Sequence, residues 1–177
     1  VYKNGIACSQ GEDRRELLWN EVVEVTSDLI VAPSGEKSHA IAFEVVSQPP
    51  LLIVIGGAFG SNKEARGLLD ALELVWVPVW CRRARVLLSD ERSIVLGAAQ
   101  LTVASVKMGA SQLRWDEVKG VDMKAECETL STDAGPIRFE PIAGPTPFPS
   151  AAKRVAALAK SPPTIPLFSP AVLQDSK

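Results

Sequence analysis

Apolar and polar residues alternate over several short stretches, and this period predicts β-strands in both halves of the chain. In the first half, the segments LIVAP, HAIAFEVVS and LLIVIGG are separated by the turn-forming segments PSGEK and SQPP. In the second half, half-buried strands joined by a turn are expected within SIVLGAAQLTVASVKMG. Further strands are expected in ECETLST and IRFEPIA, on either side of DAGP. The pattern therefore predicts a chain that is mostly β.

One predicted helix follows the strand LLIVIGG. Ser61 and Glu64 have the spacing of a capping box, in which the two side chains bond to free amides of the first turn, so the helix is expected to begin at Ser61. Its apolar face is formed by residues at i, i+3, i+4 and i+7: Ala65, Leu68, Leu69 and Leu72.

A second helix is predicted from near Ser150, after GPTPFP. Its apolar stripe is thinner and consists of Ala151, Val155 and Leu158. Phe148 is expected to pack over its first turn.

The segment LVWVPVWCRRAR, residues 74–85, joins the two halves. Pro78 argues against continuing the first helix through it, because proline lacks the amide hydrogen that a helix needs. The alternation of valines with Trp76 and Trp80 favours an extended segment.

The chain contains a weak internal repeat. LLWNEVVEV, residues 17–25, matches LRWDEVKGV, residues 113–121, at an offset of 96 residues. Five positions are identical, namely the pairs Leu17/Leu113, Trp19/Trp115, Glu21/Glu117, Val22/Val118 and Val25/Val121. This offset is too long for a solenoid repeat and suits a small domain. Each half therefore reads as strands, the Trp-x-Glu-Val segment, more strands and one helix.

This arrangement resembles the pleckstrin-homology-like (PH-like) domains of bacterial proteins, which are relatives of the GRAM domain. Their tryptophan strand reads hydrophobic-x-Trp-x-Glu-Ile/Val-x-x-Val, as residues 17–25 and 113–121 do, and Asn4-Gly5-Ile6 also fits. The resemblance implies an α+β, mostly β fold of two tandem modules. Each would be a bent antiparallel β-sandwich or partial barrel closed by one C-terminal α-helix. The modules are expected at residues 1–75 and 76–160, followed by a proline-rich tail at 161–177 that is mobile or loosely docked.

The first copy departs from the family pattern, since only one short strand is visible before Trp19, where about two are usual. Either strands that precede Val1 complete its sheet, or the segment at residues 75–79 does so.

Composition narrows the function. The net charge of −2 gives no overall attraction to nucleic acid, and no apolar run approaches the roughly 20 residues of a membrane-spanning helix. Cys8, Cys81, Cys127 and the only histidine, His39, are too scattered for a zinc site. The cysteines are expected to be small buried residues in a reducing compartment. No cofactor or metal is expected, and the location is expected to be cytoplasmic, at most at the inner face of the membrane.

The loop GGAFGS, residues 56–61, resembles a phosphate-binding loop only superficially. It lacks both the GxxxxGK[ST] and the GxGxxG spacing, and only two helices are predicted in the whole chain. It is interpreted as a flexible joint between a strand and its helix, and a nucleotide-binding enzyme is a remote alternative.

Paired acidic residues are interpreted as solvated because no catalytic partner stands at a telling spacing: Glu21 with Glu24, Asp90 with Glu91, and Asp116 with Glu117.

A basic cluster offers a possible binding surface. Arg82, Arg83 and Arg85, with Arg92 beyond them, are candidate residues for an anionic lipid, against the simpler reading of a solvated linker. Trp76 and Trp80 are candidate partner-binding residues, although packing of the two modules against each other is favoured.

The sequence thus predicts a non-catalytic tandem PH-like module that recognises protein or peptide partners. The groove between each helix and its sheet and the seam between the modules are the expected surfaces, and TIPLF in the tail is a candidate ligand. Binding to an anionic membrane surface through the arginine cluster is the alternative.

Overall fold

The computed structural model describes residues 1–10, 13–31, 33–35, 37–55, 63–124, 127–139 and 146–164. The first copy comprises five strands and a long helix: β1 (Gly5–Gln10), β2 (Asp13–Leu18), β3 (Val22–Val31), β4 (Lys37–Val45), β5 (Gln48–Ile55) and α1 (Lys63–Ser89). The second copy comprises eight strands and a short helix: β6 (Ile94–Leu96), β7 (Ala99–Leu101), β8 (Ser105–Met108), β9 (Ser111–Arg114), β10 (Val118–Lys124), β11 (Cys127–Thr132), β12 (Ile137–Arg138), β13 (Thr146–Pro147) and α2 (Ala151–Ala159).

All strand pairs are antiparallel, and none of the sheets formed by the described residues closes on itself. The first copy contributes the β1–β2 hairpin and the order β3–β4–β5, and the second contributes β6–β7–β8–β9 and β10–β11–β12. The prediction of an α+β, mostly β chain is confirmed.

The repeated nonamer matches the tryptophan strand of the PH-like family, but in this structure it does not form a single strand. In both copies a strand ends just before the tryptophan, and a new strand begins at Val22 or Val118. The cause is the glutamate of the motif, whose carboxylate folds back onto an amide three residues earlier. Glu21 accepts from the Leu18 N–H at 2.9 Å, and Glu117 accepts from the Arg114 N–H at 2.6 Å. The Trp-x-Glu segment is therefore a turn closed by a side chain, and in the second copy it forms a short 3₁₀ helix, Trp115–Glu117.

The two copies share further hydrogen bonds. The indole Nε1 of Trp19 donates to the Tyr2 carbonyl, and that of Trp115 donates to the Thr102 carbonyl, both at 3.1 Å. The strands that follow both slip in register at the same point, after Val22 and after Val118. The repeat is thus a repeat of structure as well as of sequence.

The match extends to the preceding hairpins at an offset of 100 residues. The Tyr2 N–H donates to the Gly5 carbonyl at 2.7 Å, and the Thr102 N–H donates to the Ser105 carbonyl at 2.8 Å. Strand β1 therefore corresponds to β8. Gly5 is fixed by crowding, because a Cβ there would lie 2.2 Å from the Leu17 carbonyl oxygen.

The copies differ at the outer edge of this hairpin. In the second copy, β7 pairs with β8 and places Ala99 and Leu101 opposite Met108 and Val106. Among the described strands, β1 pairs only with β2. We call the side of β1 away from β2 the β1 edge.

The prediction of an extended segment at residues 75–79 is wrong, because α1 continues through Pro78 to Ser89. This helix also runs across the expected module boundary at residue 75, and it cannot supply a strand to the first copy. Its buried side chains recur every four residues: Leu72, Trp76, Trp80, Ala84 and Leu88. Burying a large apolar side chain stabilises by about 1.5–3 kcal/mol, so this stripe outweighs the roughly 3 kcal/mol cost of a proline within a helix.

The buried residues of both copies form a single core, in which Phe43 of β4, Trp76 of α1 and Val155 of α2 all take part. Helix α2 begins as predicted, with Ser150 as its N-cap accepting from the Lys153 N–H. Strand β13 extends the sheet of the first copy by pairing with β3. The two copies are thereby joined by a shared sheet edge and by helix packing.

Candidate functional site

The seam between the copies is organised around Arg154 of α2, whose side chain is 0% exposed. Its guanidinium donates to both carboxylate oxygens of Glu24 on β3, from Nη1 at 3.0 Å and from Nη2 at 2.6 Å. It also donates to three backbone carbonyls, those of Pro149, Val25 and Phe148. A buried charge costs little only when it is paired and fully hydrogen-bonded, and these contacts meet that condition.

The chain that leads into α2 is fixed to the same strand. Thr146 lies opposite Ser27, and the Phe148 N–H donates to the Val25 carbonyl at 2.8 Å. Backbone hydrogen bonds therefore attach the segment that leads into α2 to β3, and the hydrogen bonds of Arg154 stabilise the same arrangement. Both backbone and side-chain hydrogen bonds thus connect the two sides of the seam.

Trp76 and Trp80 lie inside this seam. Trp76 is 0% exposed and packs on Trp19 with ring centroids 6.0 Å apart. Trp80 is 6% exposed, and the Arg154 guanidinium lies 5.1 Å from its ring centroid. Neither ring is presented to a partner in this structure. The contact of Trp80 with Arg154 links the two copies, whereas Trp76 packs on Trp19 within the first copy.

The arginine cluster is divided by its position on α1. Arg83 donates to the carbonyls of Val22 and Trp19 and lies over the Trp76 ring. Burial lowers the pKa of this guanidinium, and the nearby Glu24 carboxylate opposes the shift. Arg83 therefore ties α1 to the Trp19–Val22 segment of the first copy.

The other members of the cluster lie towards solvent. Arg85 is half-buried and donates to the carbonyls of Cys81 and Ser161, while Arg82 and Arg92 are exposed. The surface available to an anionic lipid is thus smaller than the sequence predicted. In the described part of the chain, neither helix combines the length and the apolar character that crossing a membrane requires.

An open groove of about 570 Å³ runs along the outside of the seam, and we call it the seam groove. Its walls are α1 and α2, and Gly120 and Val121 of β10 form its floor. On the α2 side the groove is lined by Ala156 and Ala157 together with Lys153 and Lys160. Leu74 stands at the opposite lip with 77% of its surface exposed, the highest fraction among the large apolar side chains of the described residues.

Pro78 gives the α1 wall an unusual backbone. Proline has no amide hydrogen, so the Leu74 carbonyl lacks the donor that a residue four positions later normally supplies. Both Leu74 and Pro78 line the seam groove. An apolar side chain and an acceptor without its usual donor therefore lie on the same turn.

Charges of both signs line the seam groove. Glu73 and Lys153 form an ion pair across it, with Nζ to Oε2 at 2.7 Å. Asp70 on the α1 wall and Lys160 at the end of α2 are exposed, and neither has an ion-pair partner among the described residues. The α1 side of the groove therefore carries two acidic side chains, and the α2 side carries two basic ones.

Several candidate reactive groups have structural roles. Glu21, Glu24 and Glu117 were interpreted as solvated, but each accepts hydrogen bonds that fix a turn or the seam. Burial raises the pKa of the Cys81 thiol, and Arg85 and Arg154 oppose this only in part, so the group stays protonated at neutral pH. Cys81 is buried, as predicted, and Cys8 is half-buried.

Three sequence features lie outside the described residues. They are the loop at residues 56–61 with the capping box that includes Ser61, the residue Cys127 as a side chain, and the tail beyond Thr164. The described start of the tail is tied to α1, where the Ser89 hydroxyl donates to the Thr164 carbonyl at 3.1 Å.

Sequence reasoning missed Arg154, the central residue of the seam. An arginine on a nine-residue amphipathic helix normally lies on the solvated face. One signal was present, because its spacing from Val155 and Leu158 places it beside the apolar stripe. Comparisons with protein-family models, with curated proteins and with solved structures find no match to this chain.

Proposed function

We propose that the chain is a non-catalytic binding or scaffolding module, built from two tandem PH-like copies, that recognises a protein or peptide partner in the bacterial cytoplasm. The observation that carries this proposal is the seam groove, which combines the exposed Leu74 with charged groups from two packed helices. Ligand sites are typically concave and largely preformed, with volumes of about 300–1,000 Å³. The internal repeat supports two copies of one fold, since the Trp-x-Glu turn is built alike in both.

The composition of the seam groove favours a polypeptide over an anionic lipid. A lipid headgroup or a phosphate backbone calls for clustered positive charge, whereas this groove carries as many acidic as basic side chains. The arginine cluster gives the lipid alternative less support, because Arg83 and Arg85 already bond to carbonyls. Mixed charge around an apolar centre is instead the usual anatomy of a protein-binding surface.

Selection from a random heptapeptide display library against the whole chain tests this function. Recovered peptides are expected to bind the 177-residue chain in solution, as measured by fluorescence anisotropy. Co-sedimentation with phosphatidylserine vesicles is run in parallel. Vesicle binding that is lost in an Arg82→Ala/Arg92→Ala variant, with no peptide recovered, would transfer the function to the membrane surface. Thermal stabilisation by millimolar ATP or NAD would instead point to the remote nucleotide-binding alternative.

A further inference from the structure

The two unpaired charges of the seam groove are separated by a distance that a short peptide can span. Asp70 stands eight positions before Pro78 on α1, which is about 12 Å along a helix. Lys160 also lines the groove, and it lies towards the Pro78 end, because the next residue, Ser161, accepts a hydrogen bond from Arg85 further along α1. Because an extended chain rises by about 3.3 Å per residue, about four residues bridge this span.

Leu74 lies midway between these ends, one helical turn from Asp70 and one from Pro78. Leu74 lines the same groove as Ala156 and Ala157, so an apolar side chain bound there would meet apolar atoms from both helices. The Leu74 carbonyl beside it lacks its helical donor, and an extended peptide backbone supplies N–H groups.

We propose that the seam groove holds an extended peptide segment in which one apolar residue is flanked by a basic residue on one side and an acidic residue on the other. The basic residue pairs with Asp70, the apolar residue packs against Leu74, and the acidic residue pairs with Lys160. The two charged residues of the ligand stand about four positions apart. This inference rests on the proposed function and specifies the class of partner for that site.

The test uses the heptapeptide selection with three variants of the whole chain. Peptides recovered by the wild-type chain are expected to share the base, apolar residue and acid at this spacing. A charge-swapped chain, Asp70→Lys with Lys160→Asp, is expected to recover peptides in which base and acid have exchanged places. Both side chains are exposed, so folding is preserved, and far-ultraviolet circular dichroism checks it.

Leu74→Asp is expected to weaken the wild-type peptides by about tenfold or more, since a charge replaces the apolar contact. Val95→Asp is the matched control, because Val95 is 73% exposed and lies outside the seam groove, and it is expected to leave affinity within about twofold. Peptides that bind all variants equally would overturn the inference and leave the proposed function standing. Recovery of no peptide by any chain would overturn both.

Discussion

Arg154 on α2 and Glu24 on β3 form a two-pronged ion pair that joins the second copy to the first, with N–O distances of 3.0 and 2.6 Å. The arginine is fully buried, whereas the carboxylate retains 30% of its side-chain exposure. The two residues are 130 positions apart in the sequence, so the ion pair connects distant parts of the chain. The seam groove lies on the frame that this pair holds.

Replacing Arg154 by alanine is expected to lower the free energy of unfolding by about 3–5 kcal/mol. Removing one partner of a buried pair leaves the other charge uncompensated, and three carbonyls lose a donor as well. Arg154→Lys is expected to recover only part of the loss, because one ammonium cannot reproduce the planar fork that reaches Glu24 and the carbonyls together. Urea unfolding followed by tryptophan fluorescence measures both.

Arg114→Ala serves as the control for Arg154→Ala. Arg114 pairs with Asp116 at 3.0 Å, but both side chains are largely exposed, and such pairs contribute about 0–1 kcal/mol. Equal losses in the two variants would contradict a special role for the buried pair.

The repeated glutamates allow a paired prediction. Glu21→Ala and Glu117→Ala are each expected to cost about 1 kcal/mol, because each removes the acceptor of a turn-closing amide. Asp116→Ala, next to Glu117 but without a bond to the backbone amide, is expected to cost less. Thermal unfolding of the three variants measures these losses of stability. A loss for only one of the two glutamate variants would show that the two turns are not equivalent.

Much of the fold could be predicted from the sequence because its signals are local. Alternation located most strands, and the serine before Ala151 located the start of α2. The identity of Trp19 with Trp115 and of Glu21 with Glu117 revealed the repeat. The turn at the Trp-x-Glu segment was missed because the alternation of apolar and polar residues that is typical of a strand shows no break there.

The remainder depended on long-range packing. Trp76 and Trp80 alternate with valines and so imitate a strand, but they are also four residues apart, and burial of both favours the helix in spite of Pro78. The seam groove and Arg154 arise only when residues from distant parts of the chain meet. No local sequence pattern predicts these long-range contacts.

The buried Cys81 thiol gives a prediction for alkaline pH. Burial raises its pKa in the folded state above the ordinary value of 9.0, so the folded chain holds this proton more tightly than the unfolded chain. The contribution of this buried thiol to the free energy of unfolding is fully present below the pKa that the thiol has in the unfolded chain. It is lost as the pH rises through the higher pKa that the thiol has in the folded chain. The free energy of unfolding is therefore expected to fall above about pH 9, and more steeply in the wild type than in Cys81→Ala.

Urea unfolding between pH 7 and pH 10.5 measures this difference. Leu74→Ala, at an exposed position on the same helix and without a titrating group, is the control and is expected to follow the pH dependence of the wild type. Parallel curves for the wild type and Cys81→Ala would contradict the prediction, because the other titrating groups are common to both chains.

The last prediction concerns the β1 edge. In the second copy, the corresponding edge of β8 pairs with strand β7. With Tyr2 matching Thr102, Val1 takes the place of Leu101, so a second copy of residues 93–100 fused directly before Val1 should extend the sheet in register. The fused residues that match Leu96 and Ala99 would be buried, as the originals are. The melting temperature is expected to rise by about 2–4 °C for each kcal/mol gained.

The same extension with aspartate at those two positions should give no rise, because a charge cannot be buried there without a partner. Equal melting temperatures for the two fusions would show that the β1 edge does not accept a strand and that the correspondence between the copies ends at Tyr2.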